Sequence, residues 1–139
     1  MFELRLQTYW ADSDAAGIVF YANYFRFIEQ AEEELFRSAG ANRAALLKDN
    51  HVWMPRVETY AKFIQPIPLG AAVRVRLHPQ LKGEKTVRYD FQFLDDGARE
   101  KIAEGYITVV CVDAARFKAT PIPDAIRSVI KKVSSPAEH

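Results

Sequence analysis

The chain has 139 residues, 49% hydrophobic, 12% aromatic and 27% charged, the usage of one globular domain that buries about two-thirds of its unfolded surface. Disorder, collagen and coiled coil are excluded, and the length leaves no room beyond a single domain over 1–139. Lys and Arg number 19 against 18 Asp and Glu, so no cationic excess points to nucleic acid as a partner.

Met1-Phe2-Glu3-Leu4-Arg5 lacks the apolar run of a secretion signal, and no segment approaches the ~18 apolar residues of a membrane span. A cytoplasmic protein is expected. The single cysteine, Cys111, lies among Val109, Val110 and Val112, which predicts a buried strand thiol and not a nucleophile. Cys111 and the scattered His51, His78 and His139 assemble no metal site, and no cofactor is expected.

Phe2, Leu4, Leu6, Thr8 and Trp10 alternate with Glu3, Arg5, Gln7 and Tyr9, the period of a strand with one buried face. Ala11-Asp12-Ser13-Asp14-Ala15-Ala16-Gly17 then reads as a tight loop. Asn23 suits a helix N-cap and Gly40 a C-terminal stop, which predicts a helix of about sixteen residues. Tyr24, Ile28, Ala31, Leu35 and Ala39 form one stripe on it, flanked by Phe25, Phe27 and Phe36. Arg26, Gln30, Glu33 and Arg37 lie opposite, so this helix packs on a sheet along most of its length.

A short helix is predicted around Arg43 to Lys48, then strands near Met54 to Ile64, Ala71 to His78, Thr86 to Leu94 and Glu100 to Val112. Turn signals around Pro66-Ile67-Pro68, Gly83 and Gly97 separate them, so the later four strands are expected to form a meander with the first added to the sheet. Asp124 to Lys132 suits a short amphipathic helix after Pro121-Ile122-Pro123, and Ser134 to His139 reads as a frayed tail. The order implies an α+β domain, an antiparallel sheet of about five strands with one dominant helix on one face.

The segment from Trp10 to Tyr24 places Asp12 and Asp14 just before the N-terminus of the core helix. A carboxylate there can serve as general base or nucleophile, and the free N–H groups and positive dipole end of the helix can hold an oxyanion. The plainer alternative is an Asx turn or a cap.

Asp12-Ser13-Asp14-Ala15-Ala16-Gly17-Ile18-Val19-Phe20-Tyr21-Ala22-Asn23-Tyr24 closely resembles the signature of hotdog-fold thioesterases of the 4-hydroxybenzoyl-CoA thioesterase and YbgC-like group. There an acidic-x-Asp-x-x-Gly-Val-aromatic loop precedes the long helix. Val110-Cys111-Val112-Asp113 and Lys118 to Pro123 extend the likeness to nearly the whole chain. The resemblance implies a hotdog fold, with the sheet wrapped around one long central helix. It implies hydrolysis of an acyl- or aroyl-CoA thioester, with the catalytic carboxylate on Asp14, the oxyanion donor on the Tyr21 backbone N–H, and Gly17 at a turn where backbone approaches the thioester. Tyrosine at position 21, where many YbgC-like members carry histidine, tilts the substrate toward aroyl-CoA.

Glu29 has two readings, contact with the acyl group or a structural role at a subunit interface. Glu32 lies close to the apolar stripe and needs a partner, while Glu33 and Glu34 read as solvated and Asp12 as supporting the loop. Lys82, Lys85 and Lys118 are candidates to meet the CoA phosphates, with Arg88 a further option, and His51 and His78 fall outside the loop. Phe20, Tyr21, Tyr24 and Trp53 suit either an aryl pocket or the core. Without a histidine near the helix start a dehydratase is disfavoured, and a non-hydrolytic module binding acyl-CoA or acyl carrier protein is the alternative. One helix on one sheet leaves edges to cover, so self-association is expected; the resemblance implies a homodimer or homotetramer with sites at the subunit interface, and the strand from Trp53 to Tyr60, with Arg56 and Glu58, is a candidate to line the partner's site.

Overall fold

The computed structural model describes residues 1–134. Along the chain it forms β1 (Phe2–Gln7), a 3-10 turn (Trp10–Asp12), α1 (Asn23–Ser38), α2 (Arg43–Asp49), β2 (Val52–Trp53), β3 (Arg56–Phe63), β4 (Ala72–Lys82), β5 (Thr86–Asp95), β6 (Lys101–Val110), β7 (Val112–Asp113) and α3 (Asp124–Ser134). Of the expected tail only Ser134 is described, and it closes α3; residues 135–139 lie outside the described residues.

Five antiparallel strands make the main sheet in the order β1-β4-β5-β6-β3, while β2 and β7 pair separately. The meander covers only β4, β5 and β6. β3 does not neighbour β4 but crosses to the far edge and pairs with β6, and β1 takes the place beside β4. The crossing is made by residues 64–71, whose two prolines resemble a hairpin turn in sequence. Eight residues reach up to about 27 Å, enough to pass three strand spacings of about 4.8 Å. This connection is tied down by the fully buried Ile67, whose carbonyl accepts the Val19 N–H at 2.9 Å.

α1 buries Tyr24, Phe27, Ile28, Ala31, Leu35 and Phe36, the stripe its spacing requires. It ends as Gly40 predicts: with φ at 79°, Gly40 and Ala41 donate to the carbonyls of Arg37 (2.9 Å) and Phe36 (3.0 Å), a Schellman closure. Its start differs. Asn23 is the first helical residue and not the cap, because the chain already turns from Phe20, whose carbonyl takes the Asn23 N–H. The Asn23 side chain is thereby free to donate to the Asp12 carbonyl at 2.8 Å. α2 is capped by Asn42, which accepts the Ala45 N–H. The sheet carries more than one helix: α3 also packs on β4, burying Ile126, Val129 and Ile130 in the same core. Cys111 is fully buried, and burial pushes its thiol pKa up.

Gly105 in β6 is required by space. A Cβ there would fall 1.9 Å from the Tyr60 carbonyl oxygen and 2.7 Å from the Phe91 ring, so backbone on one side and a packed core ring on the other would both have to move. Gly105→Ala is expected to cost about 3 kcal/mol by overpacking, read as a lower urea midpoint at unchanged slope.

β3 is an edge strand exposed on nearly its whole length, with Val57, Tyr60 and Phe63 prominent. A bulge between Arg56 and Glu58 switches faces. Arg56 turns to the helix side, where it pairs with Glu32, and Glu58 turns to the outer side, where it meets the Tyr106 hydroxyl.

Candidate active site

The loop between β1 and α1 is organised by Asp12, which is buried. One carboxylate oxygen accepts the Tyr9 N–H at 2.8 Å and the other pairs with Arg26. Its carbonyl accepts the Phe20 N–H at 2.9 Å and the Asn23 amide. The expectation of a supporting role undersold it: one residue ties the 3-10 turn, the far side of the loop and the first turn of α1 together.

Held by this frame, Asp14 is exposed. Its Oδ1 accepts the Ala16 N–H at 2.9 Å, its carbonyl the Gly17 N–H at 3.1 Å, and its own N–H donates to Ile18. Gly17 closes this turn with φ at 77°, and a Cβ on it would meet nothing within 4 Å. Within the chain, glycine is therefore needed for its backbone conformation and not for space.

Asp14 and Tyr21 line one cleft of about 330 Å³ with Ile18, Tyr24, Phe63 and Ile64. The cleft is walled by edge-on aromatic contacts of the Phe63 ring with Tyr24 at 5.0 Å and Tyr21 at 6.3 Å. Among the described residues the N–H groups of Tyr21 and Ala22 donate to nothing, whereas those of Phe20, Asn23 and Tyr24 are all taken, and of the two residues Tyr21 lines the cleft. An exposed carboxylate and a free backbone donor at the positive end of a sixteen-residue helix thus share one apolar cleft, the parts that acyl transfer needs. Of the aromatics proposed for a pocket, Tyr21 and Tyr24 line this cleft, and Phe20 lies against Tyr21 with centroids 5.0 Å apart.

Trp53 belongs to a second cavity of about 280 Å³ between α1, α2 and the entry to β3. At its wall the buried Glu32 is paired with both Arg43 and Arg56 and meets the hydroxyl of Tyr89. Burial, then Glu32, push the Tyr89 pKa well above its ordinary value. The partners of Glu32 come from this same chain, 11 and 24 residues away, a separation that sequence reading of one helix face does not reach. Arg43 also pairs with Glu33 and Glu29, each at 3.2 Å, so Glu29 belongs to this cluster and not to the Asp14 cleft of its own chain.

The candidate phosphate ligands lie elsewhere. Leu69 donates to the Gly17 carbonyl and Thr8 to that of Ala71, so the Asp14 loop sits at the start of β4. Lys82 ends β4, about 33 Å away at strand rise. Lys85 follows in the next turn, where its carbonyl accepts from Cys111, and the Lys118 carbonyl accepts from Asp113. All three lysines are exposed at the end of the sheet opposite Asp14. Arg88 is engaged on the outer face, with Asp90 at 3.0 Å and over the Tyr106 ring at 4.0 Å. His51 is exposed and His78 lies on β4, its pKa lowered first by burial and then by the chain N-terminus. Neither enters the cleft. Among the described residues, no helix is long and apolar enough to cross a membrane.

A family model described as the thioesterase-like superfamily matches residues 8–130. The chain is 26% identical over 130 residues to a 1,4-dihydroxy-2-naphthoyl-CoA hydrolase of Thermosynechococcus vestitus, covering 94% of this chain and 87% of that one. It is 25% identical to the acyl-CoA thioester hydrolase YbgC of Escherichia coli O6:H1, covering 95% and 97%. Among solved structures, a 1,4-dihydroxy-2-naphthoyl-CoA thioesterase from Synechocystis superposes with a TM-score of 0.89 at 21% identity, covering 97% of this chain and 98% of that one. A gentisyl-coenzyme A thioesterase does so with a TM-score of 0.77 at 26% identity, covering 90% and 98%.

Proposed function

Because the chain belongs to the thioesterase-like superfamily, we propose that it hydrolyses an acyl- or aroyl-CoA thioester to the free acid and CoA, with Asp14 as the catalytic carboxylate. The observation that carries this is the single cleft shared by Asp14 and the unpaired Tyr21 N–H. The fold is hotdog-like, and in this reading α1 is the helix the sheet curves around, bringing its N-terminus to the cleft. Two of the similar proteins act on aromatic thioesters by name, and the Tyr21, Tyr24 and Phe63 wall favours a flat aryl group.

Two routes use the same groups. Asp14 attacks the carbonyl carbon and expels the CoA thiolate, which takes a proton from water, and a second water opens the mixed anhydride. Alternatively Asp14 takes a proton from a water that attacks the carbonyl carbon, and returns it to the CoA thiolate expelled when the C–S bond breaks. In both, charge grows on the carbonyl oxygen, and in this reading the Tyr21 N–H holds it. Tyr21 occupies the second position of the Phe20 to Asn23 turn, where proline is favoured, so Tyr21→Pro deletes the donor with little strain. It is expected to lower kcat roughly 10²–10³-fold, while Tyr21→Ala, which loses the same ring but keeps the N–H, stays at least tenfold more active than Tyr21→Pro. Equal activity of the two variants would remove the oxyanion role.

The free edge of β3 is proposed to pair antiparallel with the same strand of a second copy. Centred between Thr59 and Tyr60, this sets Phe63 of one copy beside the partner's Arg56. It also brings the partner's Lys82, Lys85 and Lys118 to the Asp14 end of the site, about four strand spacings or roughly 19 Å to the side, where they would meet the CoA phosphates. Within one chain they have no such role.

A further inference from the structure

Asp14 stands between two cavities. It shares one with Tyr21, Tyr24 and Phe63, and it also borders a cavity of about 430 Å³ lined by Trp10, Ser13, Ala15, Gly17 and Leu69. No other residue lines both. The wall of this second cavity carries an unusual group: among the described residues Ser13 Oγ is the buried side-chain oxygen that has no hydrogen-bond partner. A buried hydroxyl left unpaired is unfavourable. The chain offers it no partner, so its partner is one that enters the cavity.

We propose that Ser13 Oγ, turned into the cavity by one χ1 step, and the Asp14 carboxylate together hold the water that hydrolyses the thioester. This rests on the thioester hydrolase reading. The Asp14 Oδ1 is taken by the Ala16 N–H at 2.9 Å, while Oδ2 accepts from no described residue, and two polar partners suffice to fix a water. The placement also solves a problem of access. Once the acyl group fills the Tyr21 cleft, water is displaced from that side of Asp14, whereas the second cavity, flanked by the exposed Trp10 and Leu69, stays open to solvent. In the direct route the oxygen of this water bonds to the acyl carbon, one proton passes to Asp14 and from it to the departing CoA sulfur. In the anhydride route the same oxygen bonds to the acyl carbon, the bond from that carbon to Asp14 breaks, and the leaving Asp14 carboxylate takes the proton. Ser13 is thus the residue that sets where the hydrolytic oxygen stands.

The backbone of Ser13 is extended, with φ at −103° and ψ at 157°, and bridges to Val19, a conformation that suits β-branched residues. Ser13→Thr and Ser13→Val therefore compare a hydroxyl with a methyl group of nearly equal size. In single turnovers of benzoyl-CoA with enzyme in excess, Ser13→Thr is expected to form benzoic acid at close to the wild-type rate. Ser13→Val is expected to be slower than Ser13→Thr by roughly tenfold or more, since a displaced nucleophile costs up to ~10²-fold, with KM and unfolding midpoint unchanged. Thiol release slowed together with acid formation places the water in the direct route, and a thiol burst ahead of slowed acid formation places it at the anhydride. With hydroxylamine added, and the reaction without enzyme subtracted, Ser13→Val is expected to raise the ratio of benzohydroxamate to benzoic acid, because the added nucleophile does not depend on the Ser13 hydroxyl. A loop merely displaced by the substitution slows both products alike. Equal acid formation by Ser13→Thr and Ser13→Val, or a product ratio equal to that of wild type, would overturn the inference while leaving the role of Asp14 standing. A wild type that cleaves no thioester overturns the reading beneath it.

Discussion

Asp14→Asn is expected to lower kcat for thioester hydrolysis roughly a thousandfold or more while leaving the fold intact, the largest effect of any single substitution on activity. The reason lies in what asparagine keeps. Asp14 is exposed, and its one side-chain bond accepts the Ala16 N–H through Oδ1, which an amide oxygen accepts equally well. Asparagine loses only the negative charge, and with it the capacity to attack a carbonyl or to take a proton from water. Unfolding midpoint and acyl-CoA affinity should therefore match wild type within a few-fold while turnover vanishes. Residual turnover within tenfold of wild type in a folded variant would take the catalytic role away from Asp14.

The largest expected effect on stability falls at Glu32. Glu32→Ala leaves Arg43 and Arg56 without their buried counter-charge and strips Tyr89, which is itself buried, of the carboxylate that meets its hydroxyl. Breaking a buried pair from one side costs about 3–5 kcal/mol, because the remaining charge is left desolvated. A urea midpoint lowered by that amount, with Glu33→Ala near neutral because Glu33 is partly solvated, is the expected pair of results. A cost below about 1 kcal/mol would mean that Arg43 and Arg56 reach water freely in the folded chain.

What the sequence made legible follows the reach of each signal. The apolar stripe of α1 and its Gly40 closure depend on neighbours three and four residues apart, and both are found as expected. The loop that presents Asp14, Gly17 and Tyr21 is equally local, a dozen residues whose acids, glycine and following helix lie next to one another in the chain. The place of β3 was not legible. Its linker carries the prolines and glycine of a turn, and only the burial of Ile67 against the Asp14 loop reveals a crossing past that loop to the far edge of the sheet. The same error of reach hid the partners of Glu32 and the true distance of the lysines. Those depend on which end of β4 a residue occupies and on which strand runs beside which. The bulge at Val57, which sends Arg56 and Glu58 to opposite faces, likewise has no mark in the alternation of the residues.

Cleavage of thioesters by this chain is read as thiol release from the wild-type protein on benzoyl-CoA, 4-hydroxybenzoyl-CoA and aliphatic acyl-CoAs of increasing length. Repeated turnover of at least one neutral member is expected, with free acid and CoA formed in equal amounts. Tight binding of these thioesters with no thiol released from any of them, or from the same acyl groups carried on acyl carrier protein, would contradict it and leave a binding module in its place.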